Sequence, residues 1–80
     1  MEASEGLLAI RDRLMSWYPA TGLQGTTWTT FVVVERDNRA VKVSDHQPGW
    51  LVEFRDGLSM REKIFATPQS VFDAVRNWLG

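Results

Sequence analysis

The sequence predicts an α+β fold of order α-β-β-β-β-α, a four-stranded antiparallel meander sheet with both helices packed on one face. Three observations lead there. Between Thr26 and Ala66, four runs rich in β-branched and aromatic residues sort onto two faces, one almost wholly apolar and one mixed. The segments on either side of them repeat apolar residues at helical spacing. Two helices that flank a sheet in sequence normally pack on the same side of it.

Each element has its own local cause. Leu7, Leu8, Ile10, Leu14, Met15, Trp17 and Tyr18 recur at helical spacing, with Ser4 placed to cap the helix start and Pro19 to stop it. Thr21 to Gly25 holds two glycines and reads as a loop. The first strand is Thr26 to Glu35, and Asp37-Asn38 suits a tight turn because both residues tolerate positive φ. Ala40 to Ser44 is the second strand, Asp45 to Gly49 a turn-rich link, Trp50 to Arg55 the third strand and Ser59 to Ala66 the fourth. Thr67-Pro68 opens the second helix: threonine accepts from the first free amides, and proline occupies the helical position that needs no amide. Val71, Phe72, Val75, Trp78 and Leu79 then form one apolar stripe. With no repeat, low-complexity tract or linker, residues 1–80 read as a single domain.

Register sharpens the two faces. A two-residue turn at Asp37-Asn38 pairs Val34 with Val41 and Val32 with Val43. The same turn after Arg55 sets Trp50, Val52 and Phe54 beside Ser59, Arg61 and Lys63, whereas a three-residue loop, Asp56-Gly57-Leu58, places Phe54 opposite Met60, Trp50 opposite Ile64 and Glu53 opposite Arg61. The longer loop is therefore expected. It makes Trp28, Thr30, Val32, Val34, Val41, Val43, Trp50, Val52, Phe54, Met60 and Ile64 the floor beneath the helices. Glu62 breaks that pattern as an inward charge of the kind that guards a terminal strand against edge pairing.

Composition narrows the function. Nine Lys and Arg against ten Asp and Glu give a formal net charge of −1, so no global field draws the chain to nucleic acid or anionic lipid. Four tryptophans and four phenylalanines are read mostly as core. Cysteine is absent, which excludes disulfides, thiol nucleophiles and thiolate metal sites. The start of the chain lacks the cationic and apolar stretches of a signal peptide, and no apolar run approaches a membrane span, so a cytoplasmic location is expected. His46 is the single histidine and sits in a Pro-Gly turn; Asp45 beside it gives two local ligands at most and no metal spacing. Gly22 and Gly25 precede a strand, the reverse of a phosphate-cradling order. No enzymatic activity, metal or cofactor is expected.

What is left is the second sheet face. It should carry Phe31, Val33, Leu51 and Phe65 among Lys42, Arg55, Arg61, Lys63, Glu35 and Glu53, an uncovered apolar group under four cations and two anions. The first strand, apolar on both faces and lacking proline or an inward charge, should stand at an unguarded edge. The expectation is a protein-binding module, a homodimer, adaptor or inhibitor, acting through that face and edge. The alternative is nucleic-acid binding on the same face, with Phe31 and Phe65 as stacking platforms. With the fourth strand set aside, the order α-β-β-β-α resembles the double-stranded-RNA-binding domain, which implies duplex RNA as ligand. His46-Gln47-Pro48 echoes that family's His-Pro-type loop, but Thr67-Pro68-Gln69-Ser70 lacks the lysine-rich start of its second helix.

Overall fold

The computed structural model describes residues 4–25 and 30–80. Its order is α1 (Glu5–Trp17), β1 (Thr21–Gly25), β2 (Thr30–Arg36), β3 (Arg39–His46), β4 (Gly49–Asp56), β5 (Ser59–Phe65) and α2 (Pro68–Leu79). The strands form one antiparallel meander in the order β1-β2-β3-β4-β5. The α+β class is as expected; the sheet has five strands where four were expected, and the three-stranded likeness to a double-stranded-RNA-binding domain falls with that count. The beginning of the expected first strand, Thr26 to Thr29 with Trp28, lies outside the described residues.

The additional strand is the segment read as a loop. Thr21–Gly25 pairs with β2 from Thr21↔Val34 to Gly25↔Thr30, and so occupies the edge that the sequence left open. Its glycines, Gly22 and Gly25, suggest a loop, yet strand pairing here rests on backbone groups that glycine supplies as well as any residue. Thr21 is buried, and its hydroxyl donates to the Tyr18 carbonyl at 2.6 Å, which fixes where the chain turns from α1 into the sheet.

Both helices lie on the same side of the sheet and share one core with it. Leu7, Ile10 and Leu14 from α1 and Val71, Val75 and Leu79 from α2 close over Val32, Val34, Val41, Val43 and Val52. Trp17 meets Phe72 edge-on between the helices, with ring centroids 5.8 Å apart. Trp50, Phe54, Phe72 and Trp78, expected inside, form the partly buried rim. The N-caps stand where they were expected: the Ser4 hydroxyl accepts from Leu7 N and the Thr67 hydroxyl from Ser70 N. At the far end of α2, Arg39 donates to the Trp78 carbonyl, while Arg36 and the Tyr18 hydroxyl donate to that of Gly80. Cations thus sit at the negative end of the helix dipole.

The turn at Asp37-Asn38 keeps the expected pairs, Val34↔Val41 and Val32↔Val43, with Asp37 at φ +56°. The turn after β4 does not. It has two residues, Gly57-Leu58, giving Asp56↔Ser59, Phe54↔Arg61, Glu53↔Glu62 and Trp50↔Phe65. Gly57, at φ +61°, takes the left-handed conformation that this turn places at its first central residue. Every side chain of β5 is therefore on the face opposite to the expected one. Phe65 joins Phe54 and Trp78 in an edge-to-face aromatic group on the helix side. Met60 and Ile64 lie on the open side instead, and Glu62 is not the inward charge.

One close approach holds this end of the sheet together. A methyl group at Gly49 would lie 2.0 Å from the Phe65 carbonyl oxygen, whereas one at Gly22 would meet open space. The same substitution should therefore act with opposite sign at the two glycines. Gly49→Ala should cost about 1–3 kcal/mol, the range for overpacking a tight site. Gly22→Ala should be neutral or stabilising by up to about 1 kcal/mol, because it only restricts the unfolded chain. Denaturant midpoints of the two variants check this, and equal shifts would contradict the close packing of Phe65 over Gly49.

Candidate functional site

The face opposite the helices is built from three transverse rows set by the register. Gln24, Phe31, Ser44, Leu51 and Ile64 form the first; Gly22, Val33, Lys42, Glu53 and Glu62 the second; Glu35, Ala40, Arg55 and Met60 the third. Of the residues singled out in the sequence, Phe31, Val33, Lys42, Leu51 and Arg55 come together here. Arg61, Lys63 and Phe65 do not; the shifted register sends them to the helix side.

Within this face the polar groups organise one another. Glu53, only 17% exposed at its side chain, lies 4.0 Å from Lys42 Nζ and 3.9 Å from an Arg55 guanidinium nitrogen. The Lys42 ammonium also stands 4.2 Å from the centre of the Phe31 ring and partly roofs it. The other apolar residues of the face have no such cover among the described residues. Leu51 stands beside Ile64, which is 52% exposed, and Met60, 57% exposed, lies two rows away with Glu53 and Glu62 between. Met60 and Ile64 were missed as surface residues because the three-residue loop turned them inward. The signal that could have found them is glycine as the first residue of a two-residue hairpin loop.

The charge balance of the face changes with them. Lys42 and Arg55 now face Glu35, Glu53 and Glu62, two cations against three anions, where four against two were expected. Glu62 stands directly opposite Glu53 and has no cationic partner among the described residues.

On the helix side, β5 borders a groove against α2. Phe54, Phe65, Ala74 and Trp78 supply its apolar lining, and Arg61, Glu62, Lys63 and Asn77 its polar one, around a volume of about 350 Å³. Lys63 Nζ stands 5.4 Å from the Phe65 ring centre. The Trp78 indole N–H is already engaged, donating to the Arg55 carbonyl at 3.2 Å.

The turn that holds His46 brings no chemistry together. The Asp45 carboxylate accepts from the Ser4 hydroxyl at 2.9 Å, which ties it to the start of α1 rather than to the imidazole. No group of three or more histidine and acidic residues among the described residues is arranged to hold a metal ion. No helix among them is long and apolar enough to cross a membrane.

The register makes Glu62 a direct test of this face. Glu62→Lys replaces a like-charge pair with an opposite-charge pair beside Glu53 and should raise stability by about 0.2–1 kcal/mol at low salt. Urea midpoints measured at low and high ionic strength check it: the gain should shrink with salt. A variant less stable than the parent at both would place Glu62 away from Glu53.

Against models of protein families, curated proteins and solved structures the chain has no match, so its function is argued from these surfaces.

Proposed function

We propose that this chain is a small protein-binding module, not an enzyme, and that its interaction surface is the sheet face opposite the helices. One observation carries the reading: Leu51 and Ile64 stand side by side as an apolar pair, with Met60 exposed farther along β5 beyond Glu62, on a face that no element among the described residues covers. Apolar side chains so arranged and rimmed by charge mark interaction surfaces more often than solvated ones. The edge of β2 has no part in the proposal, since β1 fills it. A second copy of the chain or a different protein would bury these residues equally well.

The charge of the face favours protein over nucleic acid. Phosphate-rich ligands are held by clustered cations, and here Lys42 and Arg55 share Glu53 between them. Of the expected stacking platforms and their cations, Phe65, Arg61 and Lys63 lie on the helix side, and Phe31 and Arg55 remain on the open face.

Leu51→Lys tests the proposal, because it places a charge directly beside Ile64 and leaves the opposite face of β4 untouched. Sedimentation at tens of micromolar should show either self-association that the substitution abolishes, or a monomer whose captured protein partner is lost with it. A monomeric parent whose bound proteins are the same as those of Leu51→Lys would overturn the reading. So would oligonucleotide binding that collapses as salt rises and is unaffected by the substitution.

A further inference from the structure

The outermost strand, β5, is regular along its whole length, pairing with β4 from Ser59 to Phe65 without a bulge or an interior proline. Its other side has no strand neighbour among the described residues. Edges of this length are commonly blunted by shortening, bulging or proline, and β5 has only its charges. These alternate strictly. Arg61 and Lys63 project to the helix side over the groove of Phe54, Phe65, Ala74 and Trp78, and neither has an ion-pair partner among the described residues. Met60, Glu62 and Ile64 project to the open side, the first and last more than half exposed.

A second copy fits this edge badly. In the antiparallel register that pairs the whole strand with itself, centred on Glu62, Glu62 faces Glu62 and Arg61 faces Lys63 across the junction. Every charged pair then repels. A strand with the inverse pattern meets the opposite situation at each position. Acidic residues facing Arg61 and Lys63 would lie at the mouth of the groove, a basic residue would neutralise Glu62, and apolar residues would cover Met60 and Ile64.

We propose that the free edge of β5 accepts, as a sixth antiparallel strand, an extended segment of another protein with the pattern apolar, acidic, basic, acidic, apolar. Backbone hydrogen bonds supply the general attraction, and the alternating charges select the partner and reject self-pairing. The proposal goes beyond the open-face reading, since a strand can add at this edge whether or not Leu51 is covered.

Two synthetic peptides test it, one with the core Leu-Glu-Lys-Glu-Leu and one charge-swapped, Leu-Lys-Glu-Lys-Leu, each titrated into the ¹⁵N-labelled full chain. The first should shift the amides of Ser59 to Phe65 and the Trp78 indole signal, and should bind about tenfold more tightly than the second, as expected for three exposed charge pairs changing sign. The double variant Arg61→Glu/Lys63→Glu alters exposed side chains only and should reverse the preference. Leu51→Lys should leave it unchanged, so the loss of the open-face reading and the loss of this one are separate results. Absence of β5 shifts with millimolar peptide overturns the proposal, as does equal binding of both peptides or a preference that survives the double variant.

Discussion

The architecture depends on one apolar surface, the valine face of the sheet. Val32, Val34, Val41, Val43 and Val52 are fully buried or nearly so, and they belong to three adjacent strands. Each is worth about 1.5–3 kcal/mol when removed from water. Helices of 13 and 12 residues are marginal alone, so the stripes of α1 and α2 are held by this floor rather than by their own propensity. Because the only strongly apolar face is a single one, both helices go to it. The opposite face is left without cover among the described residues for the same reason.

The two outer strands show the limits of that floor. β1 reaches it with Thr21 and Leu23 and satisfies the backbone of β2, so the most apolar strand in the chain is interior. β5 lies at the border of the helix layer, where its helix-side positions hold Arg61 and Lys63 beside core-lining Phe54 and Val52. Those side chains reach past α2 toward water, as long cationic stems can. Phe65 alone on β5 packs inward, and it does so where the backbone passes tightly over Gly49.

Polar groups at the ends of the helices are answered by neighbours distant in sequence as well as by local caps. Arg36 and Arg39, opposite each other at the turn between β2 and β3, would repel as a pair. Each instead donates to a carbonyl at the end of α2, and Arg39 also faces Asp56 at 3.5 Å and the Trp78 ring. The Trp50 indole N–H is the exception, buried with no acceptor among the described residues. An unmade hydrogen bond of this kind costs about 1–3 kcal/mol. It lies near Gly6, where α1 crosses the end of β4 closely.

Much of this was legible in the residues because the cause was local. Ser4 and Thr67-Pro68 announce helix starts through hydrogen bonds within four residues, and the valine alternation with a tight Asp37-Asn38 turn determines the β2–β3 register. Where local signals were weak or balanced, tertiary structure decided. Thr21–Gly25 has no strand-like composition, and becomes a strand because β2 offers it unpaired backbone groups. The residues of β5 alternate charge and apolar side chains in a way that suits either face, so its register rests on the Gly57 turn and on Phe65 finding Phe54, Trp78 and the space above Gly49. That one-residue choice carried Arg61, Lys63 and Phe65 away from the open face and brought Met60 and Ile64 to it. A period of two makes such a choice all or nothing, which is why the sheet's existence could be read from sequence and the membership of its outer face could not.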